Sequence, residues 1–261
     1  MRERLQGLRG PQRLRARGGV AGQGHRPETA PLTVRAVLVD FYGTLAHAVE
    51  WGPTYEATLA LKGFSLPAEV VARWTAEAFD GVEHVEHSRS RDHYVAWERE
   101  RLREMVRECG VGDDDAVQLV DDLHANSKTW TMAAYPEAPA VLDGLRAAGV
   151  RVVVCSNWDW DLDRAVDAAG LSDRVDALVT SAQAGARKPH PRIYRCALEV
   201  AGVPPAHVLF AGDSWRPDVE GPLAVGMRAV HVAREERHDD EPPLPPGAHR
   251  VRDLRGLLEL L

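Results

Sequence analysis

The fold is decided by residues 37–45, VLVDFYGTL, in which a short aliphatic run ends in the carboxylate of Asp40 and a Gly-Thr turn follows. A continuous run of β-branched and aliphatic residues predicts a strand that is buried on both faces of a parallel sheet. Open α/β sheets bind ligands at the carboxyl ends of their strands, which is where this strand delivers Asp40. A carboxylate at that place can act as a nucleophile, as a metal ligand, or as both.

Further aliphatic runs alternate with helical patterns along the rest of the chain. The predicted buried strands are residues 150–156, 175–179, 207–212 and 228–232. The helical patterns, each followed or closed by a glycine, are residues 138–148, 161–169, 191–201 and 219–225. Strands that alternate with short helices predict an α/β fold, a doubly wound parallel sheet with helices on both faces.

The strand pattern is interrupted between residues 46 and 134. Helical spacing covers this interval at residues 67–82, 86–109 and 113–130. An all-helical insertion directly after the first strand predicts a small cap domain at 46–134, hinged over the edge of the sheet that carries Asp40. The α/β core domain would then consist of residues 33–45 and 135–261.

Two segments of the chain lack the core pattern. Residues 1–32 are rich in Arg, Gly, Gln and Pro with little apolar periodicity, which predicts a disordered basic tail. The Pro-rich segment 241–247 predicts a surface loop, followed by a final strand and a helix at 253–261.

Composition limits the possible partners and the cellular setting. The net charge of −7 over 261 residues argues against broad attraction to nucleic acid or to an acidic membrane surface. No apolar run approaches the ~20 residues that a membrane-spanning helix requires. Three cysteines, odd in number and far apart, fit reduced thiols better than a disulfide framework. We therefore expect a soluble cytoplasmic protein, a monomer or a homodimer, that binds neither nucleic acid nor membrane.

Polar residues follow the other predicted strands at the point where each strand ends. Ser156 and Asn157 close the second strand, Lys188 lies in the loop after the third, and Asp213 and Asp218 follow the fourth. In a doubly wound sheet all these strand ends converge on one edge, which already carries Asp40.

These side-chain types together fit chemistry at a phosphoryl group. Asp40, Asp213 and Asp218 supply the hard oxygen ligands that Mg²⁺ prefers. Lys188 offers a compact positive charge and Ser156 a hydroxyl donor for phosphate oxygens. With its charge neutralised by metal, Asp40 can attack phosphorus and form an acyl-phosphate that water then hydrolyses. Each residue taken singly is explained as well by a turn, a helix cap or a solvated charge, so the prediction depends on their joint order along the chain.

With four motifs in this order, the chain resembles the haloacid dehalogenase superfamily over residues 33–256, in the subfamily whose C1-type helical cap follows the first motif. The resemblance implies that Asp40 is the nucleophile and that Lys188 stabilises the charge on the nucleophile and the substrate. It also implies that Asp40, Asp213, Asp218 and the backbone carbonyl of Tyr42 hold Mg²⁺.

The substrate-binding residues that we predict lie beside the motifs, and the substrate is expected to be a small anionic molecule. They are Thr44, Ser156, Asn157 and Trp158. By the resemblance, Ser156 binds the transferring group. For Trp158 two interpretations stay open, a wall of the substrate pocket and an aromatic support that seats the cap.

The first motif departs from that of the phosphatases of this family. They carry a second Asp two residues after the nucleophile, whereas this chain has Tyr42. Losing a positioned general acid typically costs ~10²–10⁴ in rate. Residues 40–44 instead resemble the first motif of the 2-haloacid dehalogenases, whose halide leaving group needs no proton. The Tyr42 hydroxyl is one candidate for a substitute acid, and a packing role against the cap is the alternative.

The fourth motif points in the opposite direction. Gly212-Asp213 is phosphatase-like, whereas those dehalogenases work without metal and place an arginine after the first motif to hold the substrate carboxylate. Residues 46–72 contain no arginine. We therefore rank Mg²⁺-dependent phosphomonoester hydrolysis first, metal-independent 2-haloacid dehalogenation second, and a weakly catalytic or non-catalytic binding module third.

Overall fold

The computed structural model describes residues 33–74, 79–234 and 243–261 of the chain. The predicted tail at residues 1–32 and the start of the Pro-rich segment lie outside these ranges. The strands within them are β1 (Ala36–Val39), β2 (Ala46–Trp51), β3 (Trp130–Ala134), β4 (Arg151–Ser156), β5 (Ala177–Thr180), β6 (Val208–Gly212), β7 (Arg228–Val232) and β8 (Ala248–Val251).

Six of these strands form a parallel sheet in the order β5-β4-β1-β6-β7-β8. β1 lies at the centre, where Val39 is in register with Val154 of β4 and Ala211 of β6. All residues of β1 and β6 are buried, as expected for strands that are covered on both faces. Because β1 and β6 end side by side, Asp40 lies next to the start of the loop after β6, and its amide donates to Ala211 O at 2.9 Å.

The helices within the described ranges fall into a cap group and a core group. The cap group is α1 (Tyr55–Ala60), α2 (Ala68–Trp74), α3 (Arg91–Glu108) and α4 (Asp113–Ser127). The core group is α5 (Ala138–Ala147), α6 (Leu162–Ala168), α7 (Ser181–Ala184), α8 (Pro191–Ala201) and α9 (Gly221–Ala224). None of them is both long enough and apolar enough to cross a membrane.

The core helices cover both faces of the sheet, because the side chains of each strand alternate between them. Val37 and Val39 belong to a hydrophobic cluster with residues of α5 and α6. Ala36 and Leu38 point to the opposite face, where they join a cluster that contains Ile193 of α8. The doubly wound α/β sheet predicted from the sequence is thereby confirmed.

The prediction of an all-helical insertion at residues 46–134 is wrong at both ends of that range. β2 and β3 pair antiparallel from Ala46↔Ala134 to Trp51↔Trp130, with an irregularity between Ala48 and Glu50. β2 is exposed along its second half, so its sequence carries no buried run that would identify it as a strand. The boundaries of the core and cap domains stay predictions.

The cap helices have a hydrophobic cluster of their own, which includes Leu59, Val70, Met105 and Leu123. Two other segments differ from the helices that the sequence predicts. Trp215–Glu220 form a π-helix before the short α9, where one helix at 219–225 was expected, and the terminal helix is a 3-10 helix at Leu254–Leu260.

Candidate active site

Three carboxylates meet at the carboxyl edge of the sheet. Asp40, Asp213 and Asp218 each offer one oxygen, and these oxygens lie within 4.8 Å of one another. Asp218 is fully buried and Asp40 is 8% exposed, while Asp213 is half-buried. The structure therefore brings together the acids that the sequence placed at two separate strand ends.

Lys188 joins two of these acids. Its Nζ donates to Asp40 Oδ1 at 2.8 Å and to Asp218 Oδ1 at 2.6 Å, and its side chain is almost fully buried. Burial alone would lower the pKa of Lys188, but the neighbouring Asp218 and Asp40 carboxylates outweigh burial and raise it. The ammonium is therefore charged, and it neutralises the oxygen of Asp40 to which it is bonded.

One ammonium does not balance three acids. Burial, with a further contribution from Asp40, raises the pKa of Asp218 to about 7 although Lys188 opposes the shift. Burial and the charge of Asp40 also raise the pKa of Asp213. Asp40 thus contributes to both shifts through its negative charge, and the donor set consists of hard carboxylate oxygens. Such a set fits Mg²⁺, which takes one or two carboxylates together with waters and phosphate oxygens.

Two glycines let the carboxylates lie against the backbone. Gly43 has φ +83°, and a Cβ built on it would lie 2.5 Å from Asp213 Oδ2. A Cβ on Gly212 would overlap the carboxyl group of Asp218 in the same way. Any larger residue at position 43 or 212 would thus displace an acid from the cluster.

Hydrogen bonds fix the orientation of Asp213 and Asp218. The hydroxyl of Thr44, which is fully buried, donates to Asp213 Oδ1 at 2.9 Å. The backbone amide of Ser214 donates to Asp218 Oδ2 at 3.0 Å. Thr44, which the sequence suggested for substrate binding, thus contacts Asp213 and has no exposed surface.

Asn157 holds the loop that carries Lys188. Its Oδ1 accepts from the Lys188 amide at 2.6 Å, and its Nδ2 donates to the Lys188 carbonyl at 3.1 Å and to Asp80 Oδ1 at 3.3 Å. Ser156 precedes it at the end of β4 and is buried. The oxygen and the nitrogen of the Asn157 side-chain amide therefore both link the second motif to the third.

The two aromatic residues singled out in the sequence, Trp158 and Tyr42, have different ring partners. Trp158 makes edge contacts with Phe41 at 5.5 Å and with Trp130 of β3 at 6.0 Å, measured between ring centroids. These contacts favour the aromatic support over the substrate wall. Tyr42 is 42% exposed, and its ring lies 5.6 Å from that of Trp51 on β2.

Sequence reasoning missed Arg234, which binds the turn of the first motif. Its Nε donates to Gly43 O at 3.2 Å, its Nη2 donates to Thr44 O, and its Nη1 donates to Glu137 at 2.6 Å. The guanidinium also lies 3.4 Å from the ring centroid of Tyr135. A basic residue two positions after β7, at the same edge of the sheet, is the signal that could have identified it.

Sequence reasoning also missed a cavity of about 450 Å³ that the cap helices share with loops of the core. Its lining includes Arg101 of α3, His84, Asp159 and Arg187. These residues come from distant parts of the chain and form no motif, so only the fold shows that they meet.

Comparisons with known proteins agree with this geometry. Residues 34–226 match the family described as haloacid dehalogenase-like hydrolase. The chain is 36% identical over 148 residues to haloacid dehalogenase-like hydrolase domain-containing protein 3 of Bos taurus. This match covers 55% of this chain and 58% of the relative. The chain is 35% identical over 159 residues to phosphoserine phosphatase of Thermus thermophilus, which covers 60% and 62%.

The chain thus matches about three fifths of the length of these curated relatives. Among solved structures, a 2-haloacid dehalogenase from Pseudomonas syringae pv. Tomato superposes with a TM-score of 0.62 at 22% identity, covering 87% of this chain and 98% of the other. At that identity the likeness shows the fold.

Proposed function

The chain belongs to the haloacid dehalogenase-like hydrolase family, and on this premise we propose that it is a Mg²⁺-dependent hydrolase of small phosphomonoesters that works through a covalent intermediate on Asp40. The observation that supports this reaction is the cluster of Asp40, Asp213 and Asp218, two of which, Asp40 and Asp218, are bonded to Lys188. Binding of Mg²⁺ and formation of a covalent intermediate both need carboxylates, and the cluster provides three.

Asp40 is the proposed nucleophile because Lys188 holds one of its oxygens and leaves the other for attack. In the first step an oxygen of Asp40 forms a bond to phosphorus, the bond from phosphorus to the alcohol oxygen breaks, and the departing oxygen takes up a proton from water. In the second step water hydrolyses the acyl-phosphate, which releases inorganic phosphate and restores the carboxylate.

Asp40, Asp213, Asp218 and the Tyr42 carbonyl are the groups proposed to hold Mg²⁺. When bound, the ion would neutralise the phosphoryl group and orient it toward Asp40. Ser156 is proposed to donate its hydroxyl to a phosphoryl oxygen. Thr44 and Asn157 are proposed as positioning residues, since their side chains bind Asp213 and the Lys188 backbone.

The leaving alcohol needs a proton, and position 42 does not hold the Asp that would supply it in phosphatases of this family. Position 42 holds a tyrosine whose ring is partly exposed and packs near Trp51. We therefore propose a slow enzyme that turns over activated esters, such as p-nitrophenyl phosphate, far better than alkyl phosphates. Their leaving groups depart as stable anions, so they need little help from an acid.

Metal-independent 2-haloacid dehalogenation is the second candidate, and the tyrosine at position 42 favours it. Halide leaves without a proton, so that reaction would not need the missing acid. Asp213 and Asp218 argue against it, because without a cation they would repel an anionic haloacid beside Asp40. A binding module without activity is disfavoured because Lys188 is bonded to Asp40 and Asp218 and the three carboxylates lie within 4.8 Å of one another.

The test measures phosphate release from p-nitrophenyl phosphate and chloride release from 2-chloropropionate, each with Mg²⁺ and with EDTA. We expect phosphate release that EDTA abolishes, and no chloride release. Asp40→Asn should reduce turnover to background, whereas Asp163→Asn, an exposed change on α6, should leave it unchanged. Chloride release in EDTA would overturn the proposal in favour of dehalogenation, and silence with both substrates would overturn it in favour of a binding module.

A further inference from the structure

The cavity between the cap helices and the core has the size and wall of a small-molecule site. Its volume is about 450 Å³, within the range typical of ligand pockets. Tyr55, Trp74, Phe79, Tyr94 and Trp97 supply aromatic surface to its wall. Such a wall favours a flat apolar group, because stacked and edge-on ring contacts stabilise it beyond the simple burial of area.

Two arginines in this wall have nitrogens without partners. Arg101 lies 3.4 Å from the ring centroid of Phe79 and 4.8 Å from that of Trp97, and its Nε is buried with no hydrogen-bond partner in the described part of the chain. The Nε of Arg187 is also buried without a partner among the described residues, while its Nη2 lies 3.8 Å from a carboxylate oxygen of Asp80. Buried donors left unpaired cost free energy, which an anionic ligand would recover.

The acids that line the cavity already have a partner. Glu98 and Asp159 both pair with Lys128, the former at 3.3 Å. That group of three carries one positive and two negative charges and occupies its own hydrogen bonds. Among the described lining residues, Arg101 forms no ion pair and Arg187 has a contact of 3.8 Å with Asp80, so the two guanidinium groups favour a ligand with a negative charge.

His84 adds a neutral donor to the same wall. Burial, followed by the charge of Arg187, lowers its pKa to about 4, so the imidazole is uncharged at neutral pH. Its Nδ1 lies 3.0 Å from the hydroxyl of Ser88, and its Nε2 is buried without a partner among the described residues. A carboxylate oxygen of a ligand would satisfy that nitrogen when it carries the proton.

Three lining residues are close neighbours of the active site along the chain. Arg187 immediately precedes Lys188, and Asp159 is two residues after Asn157. Phe79 immediately precedes Asp80, whose carboxylate accepts from Asn157. The cavity therefore adjoins the loops that position the lysine of the carboxylate cluster.

We propose that this cavity binds the leaving group of the substrate and that this group is an aromatic ring with a carboxylate. The ring packs against the aromatic wall, and the carboxylate accepts hydrogen bonds from Arg101, Arg187 and His84. The inference rests on the proposed phosphomonoesterase function, and it makes the substrate a phosphate ester of a hydroxylated aryl or arylalkyl carboxylic acid.

Binding of a leaving group without phosphate tests the cavity apart from the reaction. The probe is 4-hydroxyphenylacetate, titrated into the full chain in the presence of Mg²⁺ by calorimetry. We expect saturable binding, which Arg101→Met weakens at least about tenfold because a charge-assisted hydrogen bond is lost. Arg103→Met is the matched control, since Arg103 lies on the same helix and pairs with Glu100, and it should bind as the wild type does.

Two further arms keep the test decisive if Arg101→Met does not fold. The uncharged 4-hydroxyphenylacetamide should bind the wild type at least about tenfold more weakly than the carboxylate. Inorganic phosphate should not displace the probe from Asp40→Asn, where the carboxylate cluster is altered but the cavity is intact.

No binding by the wild type, equal binding of acid and amide, or equal effects of the two arginine variants would overturn the assignment of the cavity. Displacement of the probe by inorganic phosphate would overturn the carboxylate in favour of a phosphate-binding cavity. Failure of the proposed function is distinguishable, because it would abolish release of phosphate from p-nitrophenyl phosphate while leaving the binding of the probe in place.

Discussion

The carboxyl edge of the sheet and the aromatic cavity differ in how their charged groups are satisfied. At the edge, Lys188 is bonded to Asp40 and Asp218, and Thr44 to Asp213, each across a long stretch of chain. In the cavity, Arg101 and His84 keep buried nitrogens without partners among the described residues. A connected polar network rigidifies its members, whereas unpaired donors are ready for an incoming ligand.

Under the proposed function, the carboxyl edge carries out the reaction and the cavity recognises the leaving group. The edge supplies charges whose positions are set before any substrate arrives, as a preorganised reaction centre requires. The cavity supplies aromatic surface and spare donors, which gain their partners only when a ligand binds. Experiments that disturb one region and leave the other intact therefore test the account.

The largest effect is expected from breaking the support of the first motif with Arg234→Met. The carbonyls of Gly43 and Thr44 would lose their guanidinium donor, and the turn that carries Asp40 would shift. A small misplacement of a reacting group can cost about 10²-fold, so we expect kcat for p-nitrophenyl phosphate to fall about tenfold to hundredfold with KM little changed.

Arg255→Met is the control for that change, because Arg255 is exposed and pairs with Asp253 beside it in the chain. Arg234→Lys should recover part of the lost kcat, since an ammonium can still reach one carbonyl. If Arg234→Met changed KM alone, or left both constants unchanged, the hydrogen bonds from Arg234 to the turn would not be what positions Asp40.

The burial of His84 in the cavity wall is tested by measuring how the free energy of unfolding falls at acid pH. Since burial and Arg187 lower the pKa of His84 to about 4, the unfolded state binds more protons between that pH and the ordinary value near 6.5. The contribution of His84 to stability is therefore complete above pH ~6.5 and is lost as the pH falls toward 4, a change of about 2–3 kcal/mol.

Denaturant unfolding at a series of pH values measures this contribution. His84→Gln should flatten the fall in the free energy of unfolding between pH 6.5 and 4. Ser88→Ala, which removes only the hydroxyl beside His84 Nδ1, should keep the fall. If the free energy of unfolding of His84→Gln fell with pH as steeply as that of the wild type, burial would not be holding the imidazole neutral.

The smallest effect is expected from Tyr42→Phe, a change in the first motif. The ring of Tyr42 is partly exposed and lies near that of Trp51, and the phenylalanine ring keeps that contact. We expect kcat for an alkyl phosphate, whose leaving group needs a proton, to change less than about threefold. A loss of about 10²-fold or more would show that the hydroxyl acts as the general acid, and the proton would then come from the edge itself.

The two regions also differ in how far the sequence predicts them. The core strands and α8 were predicted because continuous aliphatic runs and a glycine stop encode them locally, and α8 was predicted at its observed bounds, Pro191–Ala201. The candidate site residues were singled out because each motif follows a predicted strand, and their roles stay predictions. β2 and β3 were missed because partly exposed strands carry no such signal.

Long-range contacts explain the rest of what was missed. Arg234 acts on Gly43 and Thr44 across about 190 positions of chain, and a single arginine in a sequence does not reveal that reach. The cavity gathers residues from Tyr55 to Arg187, and the spare donors of Arg101 are visible only once its neighbours are known.

The most direct test of the central claim is to identify the residue that carries the intermediate. Wild-type protein turning over p-nitrophenyl phosphate with Mg²⁺ is quenched rapidly in acid, and its peptides are analysed by mass spectrometry. The account predicts a phosphoryl group on Asp40 that is absent when EDTA is present. Turnover with a phosphoryl group on another residue, or with Asp40 unmodified throughout, would contradict it.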